Sequence, residues 1–134
     1  MDAKEWADKA LQQKAALLNG GRGYAPIPHD MYRGLLPELK EKYDGQTARD
    51  CVLLYGYMHA FANGQSANAA YMWAFPNVTQ IVADTGIHKD RVKKLVDILV
   101  SEGVMVTQRI PWYGHTKKMY LPLYERDRTK WASE

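Results

Sequence analysis

The stretch from Asn77 to Tyr124 constrains the fold more than any other part of this chain of 134 residues. Asn77 precedes the segment VTQIVADT and can accept hydrogen bonds from the first free amides of a helix there. Gly86 follows, where a sharp turn needs the left-handed backbone that glycine adopts freely. Ile87 then supplies an apolar side chain that can seat the turn in a core. This pattern predicts a helix, a tight turn and a second helix in close succession.

The second helix is predicted to begin at His88 or Lys89 and to reach Glu102, because Gly103 can end it. At 100° per residue its apolar side chains share one arc, which contains Val92, Leu95, Val96 and Leu99. The opposite arc contains Asp90, Lys93, Lys94, Asp97 and Ser101, flanked by Arg91 and Ile98. Cations near the start of the helix favour contact with a polyanion. The spacings Asp90–Lys94 and Lys93–Asp97 leave open the alternative of solvated ion pairs within the helix.

A β-hairpin is predicted after this helix. Val104–Ile110 alternates as a strand, PWYGHT forms the turn, and Lys117–Leu123 returns. Cationic residues gather at or near the tip, with Trp112 and Tyr113 between them; they are Arg109, His115, Lys117 and Lys118. Side chains of this kind suit phosphate oxygens or a minor groove. The aromatic residues more often pack on a hairpin than stack on bases.

The distribution of charge supports the same segment. Residues 77–124 hold 7 Lys/Arg against 4 Asp/Glu, whereas residues 1–76 hold 8 of each and residues 125–134 hold 3 of each. The whole formal excess of +3 therefore lies in residues 77–124. Such an asymmetry indicates a polyanionic partner for that part of the chain.

Helices are predicted for most of the remaining chain. A helix is predicted over residues 2–19, capped by Asp2, and it carries only a loose apolar stripe. We interpret it first as a helix packed on its own domain, with a dimerisation arm and a frayed tail as the alternatives. Residues 20–28 are rich in glycine and proline and predict an extended connector. A short helix begins at His29–Asp30, and Pro37 begins a further helical turn.

A long apolar helix is predicted next, capped by Thr47 and ending near Asn63. Cys51 and His59 lie on it, and we interpret Cys51 as a packed thiol and His59 as a hydrogen-bonded or exposed histidine, rather than as a nucleophile or a metal ligand. The segment Tyr71–Trp73 is predicted to be a short strand that joins the sheet of the hairpin.

Composition narrows the class of protein. One cysteine excludes an internal disulfide and indicates a reducing, cytoplasmic compartment. No run approaches eighteen apolar residues, so no membrane span and no membrane partner are expected. The four histidines lack metal-ligand spacing, and no catalytic constellation can be assembled. We therefore expect a protein that is not an enzyme and has no cofactor and no metal.

The residues from Tyr71 to Tyr124 resemble the winged helix-turn-helix domains of bacterial, plasmid and phage replication proteins, of the DnaD-type N-terminal and Rep-type initiator kinds. The resemblance rests on the aromatic and proline lead-in to Pro76, on IVADTGIHKDRVKKLVDILVSEGV and on a hairpin ending in KKMYLPL. It covers about 40% of the chain. It implies a mainly α fold with a small β-hairpin wing (α+β): a helical extension over 1–46 as a candidate dimerisation arm, a winged helix-turn-helix over 47–124, and a tail over 125–134.

The sequence thus predicts a sequence-specific, double-stranded DNA-binding protein of replication, acting as a homodimer with other replication proteins as further candidate partners. A transcriptional regulator of the same fold, or a winged helix used for protein–protein contacts, remain alternatives. The predicted DNA-binding residues are His88, Lys89, Asp90, Arg91, Lys93, Lys94, Arg109, Tyr113, His115, Lys117 and Lys118.

Overall fold

A computed structural model describes residues 1–21, 23–62, 64 and 70–126. Within these residues the chain is mainly helical with one two-stranded antiparallel hairpin, which confirms the predicted combination of helices and a small β-hairpin. The elements are α1 (Ala3–Asn19), α2 (Leu36–Lys42), α3 (Gly45–Ala60), α4 (Val78–Thr85), α5 (Lys89–Ser101), β1 (Met105–Trp112) and β2 (His115–Pro122). None of these helices is long and apolar enough to cross a membrane.

The first helix stands apart from the core. Asp2 caps α1 as predicted, because its carboxylate accepts a hydrogen bond from the amide of Glu5 at 2.9 Å. No residue of α1 is buried. The alternative in which α1 packs on its own domain is therefore wrong. After it, residues 23–28 form neither helix nor strand, in agreement with the predicted connector.

The next helical segment contains a π-turn over Met31–Leu35, which runs directly into α2. The amide of Leu36 donates to the carbonyl of Met31, five residues back. Pro37, in the first turn of α2, has no amide to donate, and its ring would clash with the carbonyl four residues earlier in a regular helix. The wider π-turn accommodates this proline, so the two predicted pieces form one continuous segment.

The cap of α3 differs from the prediction. Asp44 caps the helix, and its carboxylate accepts hydrogen bonds from the amide of Thr47 at 2.7 Å and from its hydroxyl at 3.1 Å. These bonds hold the pKa of Asp44 below its ordinary value, since they favour the ionised carboxylate. The prediction of Thr47 as the cap is wrong, because its hydroxyl donates to the true cap. The helix ends at Ala60, and Asn63 lies outside the described residues.

The strand predicted at Tyr71–Trp73 is also wrong, because residues 70–72 form a turn in which Met72 has a φ of 73°. Contact with the hairpin occurs one residue later, as an isolated bridge between Ala74 and Tyr120. Each of these two residues donates its amide to the carbonyl of the other at 2.7 Å. The backbone of the segment before α4 is therefore hydrogen-bonded to the sheet at Ala74.

The hairpin is longer than predicted at its tip. Its register runs from Met105 opposite Pro122 to Trp112 opposite His115. Only Tyr113 and Gly114 form the turn, with φ values of 43° and 82°. Two positive φ angles in a two-residue loop define a type I′ turn, whose twist matches that of the strands.

One hydrophobic core unites these elements. It is built from buried side chains of the π-turn, α2, α3, α4, α5 and both strands; they include Leu35, Leu39, Leu54, Tyr55, Ile81, Leu95, Leu99, Met105 and Tyr120. At its edge Arg126 lies 2.6 Å from a carboxylate oxygen of both Asp30 and Glu38. The rest of the predicted tail, residues 127–134, lies outside the described part of the chain.

Candidate nucleic-acid interface

The succession of α4, turn and α5 follows the predicted local signals. The side chain of Asn77 accepts a hydrogen bond from the amide of Gln80 at 2.7 Å, which caps α4. Gly86 adopts a φ of 77°, and Ile87 beside it is only 4% exposed. His88 caps α5, because its Nδ1 accepts a hydrogen bond from the amide of Asp90 at 3.2 Å.

The buried face of α5 contains the whole predicted arc of Val92, Leu95, Val96 and Leu99. It also contains Ile98, expected at the flank of the polar arc but only 6% exposed. The opposite face is exposed; it carries Lys89, Asp90, Lys93, Lys94 and Asp97. Three cations and two acids therefore face solvent on one helix.

The two acids engage their neighbours weakly. Lys93 pairs with Asp97 at 2.8 Å, but the side chains are 81% and 57% exposed, so we expect a contribution of at most about 0.5 kcal/mol. Asp90 lies 3.5 Å from Nδ1 of His88 rather than paired with Lys94. In the described part of the chain Lys89 and Lys94 have no acidic partner within ion-pair distance. These ammonium groups are available to an external anion.

Arg91 has a different environment. Its guanidinium lies 2.7 Å from the carboxylate of Asp50 and 3.1 Å from the hydroxyl of Thr47, both on α3. The side chains of Arg91 and Asp50 are only 26% and 19% exposed. These two contacts of Arg91 therefore hold the start of α5 against α3.

The hairpin places two cations side by side. Arg109 and Lys118 are direct partners in the register of the two strands. Like charges in such positions repel each other, so the arrangement favours an anion that would neutralise both. Burial lowers the pKa of Lys118, the charges of Arg109 and Lys93 lower it further, and Asp97 opposes them. Lys93 and Asp97 belong to α5, so Lys118 on the hairpin lies close enough to α5 to interact with the charges of that helix.

Lys117 is held between aromatic rings. Its Nζ lies 4.7 Å from the ring centre of Phe75 and 4.9 Å from that of Trp112. Cations over aromatic faces are attracted by the ring quadrupole. The contact of Lys117 with Phe75 therefore links the hairpin to the segment that precedes α4.

Four predicted residues meet in one cleft. Arg109, His115, Lys117 and Lys118 line a space of about 480 Å³ between the hairpin and residues 76–78. Tyr113 lies outside it at the tip of the turn, with 88% of its surface exposed and its ring 5.1 Å from that of Trp112. The predicted residues thus divide into an α5 face, a hairpin cleft and an aromatic tip.

Three further residues, Phe75, Asp50 and Thr47, support this surface but were not predicted as site residues. Phe75 holds Lys117, and Asp50 and Thr47 hold Arg91. No spacing signal joins residues more than forty positions apart, so only the folded chain reveals these contacts.

Other chemically active groups lie in the interior. Burial raises the pKa of the Cys51 thiol to about 12, which makes it an unreactive packing residue at neutral pH. Burial also lowers the pKa of His59. In the described ranges no group of three or more His, Cys, Asp or Glu residues could hold a metal ion.

Comparisons of the chain with protein-family models, with characterised proteins and with solved structures find no match.

Proposed function

We propose that the chain is a winged-helix protein that binds double-stranded DNA. α4 and α5 would form the helix-turn-helix, with α5 in the major groove and the β1–β2 hairpin as the wing. The observation that carries the proposal is the cleft between the hairpin and residues 76–78, which is lined by Arg109, His115, Lys117 and Lys118, with Arg109 and Lys118 directly opposite each other on the two strands. A hairpin cleft lined by three cations, next to a face of α5 that exposes Lys89, Lys93 and Lys94, suits a polyanion that contacts both.

The residues take separate roles in this proposal. Lys89, Lys94, Arg109 and Lys118 contact phosphate oxygens, while the exposed first turn of α5, with His88 and Asp90, faces base edges. Arg91 and Lys117 act indirectly, because their contacts with Asp50 and with the two aromatic rings orient α5 and the wing.

A role in replication, as an initiator or associated domain of a plasmid, phage or bacterium, rests on the resemblance of residues 71–124 alone. A transcriptional regulator would use the same surface. The adjacent exposed rings of Trp112 and Tyr113 favour a second candidate, in which the hairpin tip contacts another protein of a replication assembly.

Salt-dependent titration against duplex and single-stranded DNA tests the proposal. Each phosphate contact adds about 0.9 to the slope of log affinity against log salt. We expect Lys94→Gln/Lys118→Gln to lower duplex affinity and reduce this slope by about 2. The matched control, Lys4→Gln/Lys14→Gln, removes the same charge from α1, outside α4, α5 and the hairpin, and should change neither. Equal affinities and slopes for both double variants would refute duplex binding by this face.

A further inference from the structure

The ring of Tyr113 stands open to solvent at the tip of the hairpin. Tyr113 is 88% exposed, more than any other large hydrophobic or aromatic residue in the described part of the chain. Its ring contacts that of Trp112, at 5.1 Å between centroids and 86° between planes. An aromatic ring left in water forgoes the favourable free energy of burial. Nearly the whole ring is therefore available to a partner outside the chain.

The backbone at Tyr113 is a second, independent observation. Its φ of 43° places it in the left-handed region, and Met72 is the only other residue besides glycine with a positive φ among the described residues. Tyr113 occupies the first central position of the type I′ turn, where Asn, Asp and Gly are favoured. Strained backbone conformations cluster at ligand-binding and catalytic sites. The chain thus keeps an unfavourable residue at the position where it exposes a ring.

The hairpin behind this tip is cationic. Residues 105–122 contain Arg109, Lys117 and Lys118 and no Asp or Glu. Trp112 lines the cationic cleft and has the ammonium group of Lys117 at 4.9 Å from its ring centre, so it joins the cleft to Tyr113. Sites for unpaired nucleic acid combine a cationic groove for the backbone with aromatic rings for the bases, whereas the core of a protein–protein interface is depleted of lysine. The charge favours a nucleic acid at the tip.

The state of the bases decides which nucleic acid fits. Bases inside a duplex are already stacked on each other, and a side chain can enter between them only at the cost of unstacking. An unpaired base avoids most of that cost. The opposed pair Arg109–Lys118 lies three residues along the strands from the pair Trp112–His115, about 10 Å at 3.3 Å per residue. One DNA strand can therefore contact the cations with its phosphates and Tyr113 with a base.

We propose that Tyr113 stacks on an unpaired base next to a duplex, so that the chain prefers a duplex with a single-stranded extension to a fully paired one. The inference rests on the proposed binding of duplex DNA by α5 and the hairpin cleft. The cleft holds phosphates at the end of the duplex, and the ring of Tyr113 covers the first unpaired base. Trp112 positions Tyr113 beside Lys117, because its own ring is already engaged by that cation.

Two substitutions separate the ring of Tyr113 from the turn. Tyr113→Asn removes the ring and supplies a residue that type I′ turns favour, so the hairpin should keep its shape. Tyr113→Phe is the matched control, because it keeps the ring and removes only the hydroxyl. Thermal denaturation should show no loss of stability in either variant.

Three DNA probes separate the base from the phosphates. They are a blunt duplex, the same duplex with a single-stranded extension, and the same duplex with an extension of abasic sites, which keeps the phosphates and lacks the bases. In fluorescence anisotropy, wild type should bind the extended duplex at least about 5-fold more tightly than either other probe, as expected for stacking on one base. Tyr113→Phe should keep this ratio and Tyr113→Asn should lose it.

A spectroscopic probe reports the stacking itself. A fluorescent 2-aminopurine base at the first unpaired position is quenched when an aromatic ring stacks on it. Wild type and Tyr113→Phe should quench this fluorescence on binding, whereas Tyr113→Asn should not.

The outcomes separate this inference from the proposed function. Equal affinities of wild type for the three probes, as expected if the tip contacts a protein instead, would overturn the inference. A preference retained by the abasic extension or by Tyr113→Asn would overturn it too. Blunt-duplex affinity and its salt slope in Lys94→Gln/Lys118→Gln test duplex binding separately, because that probe offers no unpaired base. A wild type that binds none of the probes would overturn both.

Discussion

Replacing Arg91 by methionine tests whether this residue supports the fold or contacts DNA. The substitution keeps the aliphatic stem but leaves the Asp50 carboxylate, which is 19% exposed, without its cation at 2.7 Å. Breaking a fully buried pair costs about 3–5 kcal/mol, whereas an exposed pair contributes at most about 1 kcal/mol. Since each side chain is about a fifth to a quarter exposed, we expect a loss of about 2 kcal/mol in the free energy of unfolding.

Urea denaturation measures this loss as a lower midpoint at unchanged m-value. A double-mutant cycle with Asp50→Asn should show that most of the loss disappears when Asp50 is already neutral. The salt slope of duplex binding, measured where the variant is folded, should equal that of wild type. An unchanged free energy of unfolding together with a slope reduced by about 1 would refute the reasoning, because Arg91 would then contact phosphate rather than Asp50.

Three further outcomes concern stability. Leu95→Ala should lower the free energy of unfolding by about 2–5 kcal/mol in urea, because the side chain is fully buried. Gly114→Ala should cost about 1–2 kcal/mol in a thermal melt, because the residue has a φ of 82°; an unchanged midpoint would contradict the turn geometry. The folded-state pKa of His59 lies below its ordinary value of 6.5, so the unfolded chain binds more protons between these two values. Stability should therefore decrease as pH falls from 6.5 toward the folded pKa, and His59→Phe should reduce this dependence in urea titrations at several pH values.

The sequence predicts local features of the fold well. Asn77, Gly86 and His88 act through hydrogen bonds or backbone angles within a few residues, so their roles could be recognised without a structure. The same reasoning chose the wrong cap for α3, because Asp44 and Thr47 are both good capping residues and only the geometry decides between them.

Long-range contacts could not be predicted. Ala74 forms its β-bridge with Tyr120. Arg91 forms its ion pair with Asp50, and the ammonium group of Lys117 lies over the ring of Phe75. Each contact joins residues that lie far apart in the sequence. No periodic pattern in the sequence indicates which of these residues will pair. The exposed cations of α5 and the hairpin could be predicted, but their division into free and engaged groups could not.

The single bridge between Ala74 and Tyr120 has a consequence for motion. Only Phe75 and Pro76 separate this bridge from Asn77, the cap of α4, and Phe75 also touches Lys117 on the hairpin. The bridge and the contact of Phe75 with Lys117 therefore couple the start of α4 to the hairpin. Amide hydrogens of Ala74 and Tyr120 should exchange with solvent at a common rate, because one cooperative opening exposes both. The hairpin and the start of α4 would then move as one unit when a partner binds.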